Sequence, residues 1–288
     1  MKQNADIIRS NSPITYSYAT VRLTRSRIEK GLIAVPTALA KWFPDHNTNI
    51  QIYLDDSSVS QSKRYSSYNS TTKECRIGGV RQWFEENDLI SGDEVVIQFV
   101  DAEQSIYRLI PEKRFLAATQ RLQTAFDNSP DEQEASERLA RLSEWTNTES
   151  TKVNLNEYRR LIAGPPAVER SLTTRKTGRH RESTPPSLRT LLGQLYRGHC
   201  QVCDFWFLKK DRKPYFEIHH LDAAQGHHPK NLIVVCGNCH NQFEHADVMP
   251  EFNEEQWLTR VHFNRALHQV YQIALTAEMP SFSKELFI

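Results

Sequence analysis

Cys200-Gln201-Val202-Cys203, Glu217-Ile218-His219-His220, Asn231 and Cys236-Gly237-Asn238-Cys239-His240 form the stretch on which the reading of this chain turns. Two Cys-x-x-Cys pairs with 32 residues between them supply four soft thiolates, the ligand count and type of a closed tetrahedral zinc site. Cys200, Cys203, Cys236 and Cys239 are therefore expected to hold one structural Zn2+. That shell is complete without any histidine, so the adjacent histidines, the asparagine and the histidine beside Cys239 are left for other work. Strand alternation sends His219 and His220 to opposite faces, which lets neighbouring imidazoles take different roles.

This order of residues resembles the HNH nuclease family, whose ββα-metal unit of hairpin plus helix holds one catalytic metal. The resemblance implies that His219 and His240 bind a divalent ion, Mg2+ or Mn2+, that His220 is the general base, and that Asn231 fixes that base. It also implies hydrolysis of a phosphodiester to 5′-phosphate and 3′-hydroxyl ends. Such a site must offset negative charge on the phosphate and on the departing oxygen. An imidazole with an ordinary pKa near ~6.5 is neutral often enough at cellular pH to take a proton from water. The loop before Asn231 reads Gln225-Gly226-His227-His228-Pro229 where the family often has a Gly-Gly turn. His227, His228 and, beyond the motif, His245 stay open as alternative ligands.

At 288 residues and 39% hydrophobic content the chain is long enough for two domains and a connector. The formal net charge is only +1, but its distribution is uneven. Residues 164–213 hold eleven Lys or Arg against four Asp or Glu, and residues 214–288 hold nine acids against four bases. Basic charge thus gathers just before and inside the cysteine-rich stretch, where a phosphate backbone would lie. Cys75 is left over from the zinc set and reads as a small strand residue in a reducing compartment. No apolar run approaches a membrane span and no signal-peptide core follows Met1, so the expected location is cytoplasmic.

The N-terminal half reads as strands, from Ile14-Thr15-Tyr16 through Asn49-Ile50-Gln51-Ile52-Tyr53-Leu54 and a long polar hairpin over residues 60–76. Gly78-Gly79-Val80-Arg81-Gln82-Trp83-Phe84 then gives a short helix, and Leu89-Ile90-Ser91-Gly92-Asp93-Glu94-Val95 a turn and a strand. This segment resembles the close of B-three-type DNA-binding pseudobarrels. The resemblance implies two arms gripping the major groove, where base edges carry a full donor and acceptor code. One arm would hold Arg22, Thr24, Arg25 and Arg27, the other Arg64, Tyr65, Ser66, Tyr68 and Asn69.

From Glu112 the period becomes helical, with Phe115, Leu122 and Phe126 on one helix, a capping box at Ser129-Pro130-Asp131-Glu132, and a third helix over residues 155–162. Residues 164–186 read as a proline-bounded basic linker in which Arg179 and Arg181 touch DNA. After the cysteines, residues 253–277 read as one closing helix. The expected architecture is α+β: a recognition pseudobarrel over 1–111, a helical connector and linker over 112–186, and a ββα-metal zinc finger nuclease domain over 187–288.

The function these expectations compose is a sequence-specific, metal-dependent endonuclease of restriction type acting on double-stranded DNA. Apolar faces on the connector helices suggest a homodimer. Two other readings stay open: a nuclease that cuts only modified DNA, which needs a closed pocket for a flipped base, and a zinc-containing DNA-binding regulator without catalysis.

Overall fold

The computed structural model describes residues 14–67, 74–165, 169–170, 172–175 and 178–276, the side chains of 172–175 and 178–181 excepted. These fall into two compact units. One comprises Met1–Ala125 with Ala140–Val153, and the other Phe126–Leu139 with Asn154–Ile288. No helix of the described residues is long and apolar enough to cross a membrane.

The first unit is built on β1 (Ala19–Arg22), α1 (Arg25–Lys30), β2 (Leu32–Val35), β3 (Thr48–Leu54), β4 (Ser60–Ser66), β5 (Cys75–Gly78), α2 (Arg81–Glu86), β6 (Glu94–Asp101) and β7 (Ile106–Pro111). The seven strands form one sheet in the order β1-β6-β7-β3-β4-β5-β2. All neighbours are antiparallel except β3 and β7. The end strands β1 and β2 approach each other, so the sheet is nearly closed and pseudobarrel-like.

Alternation explains the inward row. Ile50, Ile52 and Leu54 on β3 are buried while the alternate Asn49 and Gln51 are exposed. They meet Val95, Ile97 and Phe99 of β6, and Trp83 and Phe84 of α2 plug the same core. Phe43 stacks on Tyr107 with ring centroids 4.3 Å apart. At the end of α1, Gly31 takes φ +62°, and a Cβ there would lie 2.7 Å from the Cβ of Arg81. Only glycine meets both demands, which fixes the approach of α1 to α2. Gly92 takes φ +102° in the turn before β6, where the Asp93 carboxylate accepts from the Ile90 amide at 2.9 Å.

Three helices follow: α3 (Glu112–Asp127), α4 (Glu132–Trp145) and α5 (Ser150–Ile162). Phe115, Phe126, Leu139, Leu142, Val153 and Tyr158 are all buried. The cap of α4 is Asp131, whose carboxylate accepts from Glu134 N at 2.8 Å, whereas the expected cap Ser129 donates backward to Phe126 O at 2.7 Å. Trp145 stacks on Phe115 at 5.8 Å and Gln98 donates to Trp145 O at 2.6 Å, so α3 and the end of α4 contribute to the first unit.

In the second unit the expected linker contains a two-stranded hairpin, β8 (Leu172–Arg175) and β9 (Gly178–Arg181). Then come α6 (Pro186–Tyr196), β10 (Glu217–His220), β11 (Leu232–Val235) and α7 (Gly237–His245). β10 and β11 pair antiparallel, with His219 opposite Ile233 and His220 opposite Leu232. α7 packs on this hairpin.

The expected closing helix over residues 253–277 is absent. Its place is taken by an antiparallel sheet of β12 (Val248–Phe252), β13 (Leu258–Phe263) and β14 (Ala266–Gln269). Val261 and Phe263 point inward at strand spacing, and Asn264 at φ +56° turns the chain between β13 and β14. β-Branched Thr259 and Val261 with an asparagine at the turn favour a hairpin over a helix.

Candidate metal centre and adjoining cleft

Cys200, Cys203, Cys236 and Cys239 bring their sulfurs within 4.8 Å of one another. Cys203 and Cys236 are 3.7 Å apart and Cys239 and Cys203 3.5 Å. The hydrogen bond with Cys200 and burial push the Cys239 thiol well up, while the same bond pulls Cys200 down. Thiols packed this tightly cannot all ionise unless a cation shares them, and the donor set is compatible with zinc. Cys236 also caps α7, its sulfur accepting from Cys239 N at 3.5 Å. The first turn of α7, with His240, is therefore built on the cysteine cluster.

A second group of donors lies beside it. His219, His240 and Glu244 also place one ligand atom each within 4.8 Å of the others. His219, only 9% exposed, stacks on Phe243 at 4.6 Å and meets His240 edge to face at 5.2 Å. Its Nδ1 is 3.5 Å from a Glu244 carboxylate oxygen, and His240 Nε2 is 3.8 Å from the same oxygen. His240 Nδ1 donates to Glu217, whose other oxygen accepts from the Tyr215 hydroxyl. These bonds leave Nε2 of His240 with its lone pair toward His219 and Glu244, the arrangement that orients a metal-binding imidazole. Two imidazoles and a carboxylate form an open donor set for one divalent cation.

Glu244 and Glu217 have no assigned role in the motif. Each has a positional signal: Glu244 lies four residues after His240 on one helix face, and Glu217 two residues before His219 on one strand face.

His220 takes a different environment. Its Nε2 lies 3.0 Å from His227 Nδ1, and burial, with Arg170 next, pulls its pKa down to about 4. His219 is lowered to about 4 by burial and by His240. Both rings are therefore neutral near pH 7. Asn231 does not bond to His220. It is buried and holds the loop that carries His227, accepting from Asp222 N at 2.7 Å and donating to Asp222 O and Gly226 O at 3.0 Å each. His228 caps the short turn before β11, and His245 is exposed, so neither joins the donor group of His219.

A cleft of about 380 Å³ opens over these residues, lined by His219, His220, His240 and Glu244 together with Arg170, Arg189, Ser183 and Thr184. Both arginines are braced. Arg170 donates to Glu182 O at 2.9 Å and Ala223 O at 3.3 Å, and Arg189 donates to Glu132 at 3.0 Å and lies over the Phe216 ring at 4.6 Å. Two fixed guanidinium groups at such a cleft suit an anionic oxyacid.

The expected recognition residues divide. Arg22, Thr24, Arg25 and Arg64 are exposed, with Arg25 paired to Glu29 at 2.9 Å. Ser66 is half-buried, and Arg27 is ion-paired to Glu74, which Arg76 also holds. Arg27 thus ties the first arm to the base of the second. Tyr65 is a correction: it is 1% exposed and stacked on Phe43 at 5.4 Å, because it falls on the inward face of β4. Tyr68 and Asn69 lie outside the described residues, as do the side chains of Arg179 and Arg181 on β9.

No protein-family model matches the chain, and no curated protein matches it significantly. Among solved structures, an Arabidopsis FUS3–DNA complex is similar at 14% identity and a TM-score of 0.28, covering 33% of this chain and 94% of that one. The Arabidopsis thaliana transcription factor LEC2–DNA complex is similar at 18% identity and a TM-score of 0.28, covering 33% of this chain and 90% of that one.

Proposed function

We propose that the chain is a metal-dependent DNA endonuclease of the HNH, ββα-metal class, with the second unit cutting and the first choosing the site. The observation that carries this reading is the convergence of His219, His240 and Glu244 beside a neutral His220 in an arginine-lined cleft. A zinc-bound regulator has no use for that second donor group, since the cysteines already close the structural shell. When bound, a divalent ion such as Mg2+ or Mn2+ would offset charge on the phosphate and on the departing oxygen.

The chain's own residues supply the rest. Arg170 and Arg189 hold non-bridging phosphate oxygens and so position the diester over the donor group. His220 takes a proton from the attacking water, which its depressed pKa permits across the neutral range. His227 at 3.0 Å holds the ring, and Asn231 holds the loop that carries His227. Water adds at phosphorus, the P–O3′ bond breaks, and the departing O3′ takes a proton from solvent water, leaving a 5′-phosphate and a 3′-hydroxyl. In the first unit, exposed Arg22, Thr24, Arg25 and Arg64 offer groove contacts. Of the two tyrosines of the second arm, Tyr65 is committed to the core, while Tyr68 lies outside the described residues.

The test is plasmid cleavage in Mg2+ or Mn2+ on methylated and unmethylated DNA, with ends mapped, for the wild type and His220→Ala. The substitution is expected to lower the rate at least about 100-fold while zinc content and DNA affinity stay at the wild-type level. Cleavage by His220→Ala at the wild-type rate would remove the assignment, and cutting of methylated plasmid alone would move the reading to a modification-dependent enzyme.

A further inference from the structure

Between the two cysteine pairs, Phe205-Trp206-Phe207-Leu208-Lys209-Lys210-Asp211-Arg212-Lys213 supplies no thiolate to the metal centre and touches it only at its base, where Phe205 O accepts from Cys200 N at 3.1 Å, yet it is firmly built. Tyr215 N donates to Phe207 O at 3.0 Å and Lys209 N to Lys213 O at 2.9 Å, making a narrow hairpin. Its tip closes through Arg212 N to Lys209 O at 2.9 Å with Arg212 at φ +59°. Trp206 anchors the base by donating to Arg197 O at 2.8 Å, and Phe207 stacks on Tyr215 at 4.9 Å. The tip carries Lys209, Lys210, Arg212 and Lys213 against Asp211 alone, and all five are exposed. Below it, Phe205, Phe207 and Leu208 are 54%, 41% and 45% exposed.

We propose that this hairpin is a second DNA-binding site, its tip cations holding duplex phosphates outside the cleft while Phe207 and Leu208 lie against sugars. Three observations support DNA as the occupant. The net charge of the tip is of the sign a phosphate backbone demands. The hairpin runs directly into β10, and the chain from Lys213 to His219 spans at most about 20 Å, or about six nucleotide steps at ~3.4 Å each. Its return strand leads to Phe216, over whose ring Arg189 of the cleft lies at 4.6 Å, so a single strand joins the cationic tip to the lining of the cleft. A hairpin already ordered loses little entropy on binding. The inference rests on the part of the proposed function in which the adjoining cleft receives DNA, and not on its cutting it.

The test uses the full chain and a 30-base-pair duplex, with affinity measured by fluorescence anisotropy over a NaCl series without added divalent ion. Combining Lys209→Gln, Lys210→Gln, Arg212→Gln and Lys213→Gln is expected to reduce the slope of log K against log salt by about two to four, at ~0.9 per phosphate contact. Affinity at low salt should fall at least tenfold. Zinc content and melting temperature report folding, and if the quadruple variant misfolds, Lys210→Gln with Arg212→Gln decides, with an expected slope change of about one to two. A slope unchanged within about half a unit would overturn the proposal. So would loss of binding to phosphatidylserine vesicles with DNA affinity intact. Because binding needs no cleavage, a wild type that binds with the full slope but cuts nothing would sink the nuclease reading and leave this one standing.

Discussion

At His240, Glu217 holds one ring nitrogen and thereby decides what the other can do. Glu217→Gln keeps the size of the partner and removes its charge, so the ring becomes a poorer donor. The affinity of the cleft for Mn2+ should fall about 10- to 100-fold, with the maximal rate largely restored at saturating Mn2+. A titration of cleavage against Mn2+ checks this, and an unchanged half-saturation point would show that Glu217 does not tune the site. Among these residues the cysteines and His219, His220 and His240 are legible in the sequence, because rare side chains seldom fall at such fixed spacing by chance. Glu217 and Glu244 are not. Carboxylates are common, and their relation to the histidines exists only once β10 and α7 bring i−2 and i+4 partners to one point. Asn231 is legible as a part but not in its contacts, since its bonds go to loop backbone that no motif specifies.

At the level of elements, the strands of the first unit follow from β-branched alternation, while two readings fail for a shared reason. In β4, Tyr65 sits among serines and charged residues that disguise its inward parity. Around β13, Trp257 just before the strand and Val261 within it are four apart, which mimics a helix until the Asn264 turn is seen. The helices give a testable outcome. Trp145 on Phe115, Gln98 to Trp145 O and Asn147 to Phe99 O at 2.8 Å make α3 and the end of α4 part of the first unit. Residues 1–153, which keep these contacts, are therefore expected to be more stable than residues 1–111 by several kcal/mol, about 3 or more from Phe115 alone. Urea denaturation of the two fragments measures the difference, and equal midpoints would show that the helices add nothing.

For the whole molecule, the case for a homodimer weakens once the apolar faces of α3, α4 and α5 are seen to be buried within the chain. Among the described residues there is one group of His219, His240 and Glu244, hence one cut per event under the proposed mechanism. Supercoiled plasmid should then pass through a well-populated nicked circle before linear product accumulates. A gel time course reads this directly. Linear product rising with no nicked species, at a rate that grows with the square of protein concentration, would restore the dimer.

Cys239 and His240 are consecutive, and the cap of their helix is itself a candidate zinc ligand. This adjacency imposes an order in time. If zinc is what draws Cys236 and Cys239 together, the first turn of α7 would take its fixed geometry only on zinc binding, and only then would His240 be held against His219. Under the proposed mechanism, a newly made chain would therefore be unable to cut DNA until it acquires zinc, whatever the magnesium around it, so that zinc supply would act as a licence to cut. Zinc-stripped protein given Mg2+ first should show a lag that ends only on adding zinc, whereas zinc followed by Mg2+ should show none.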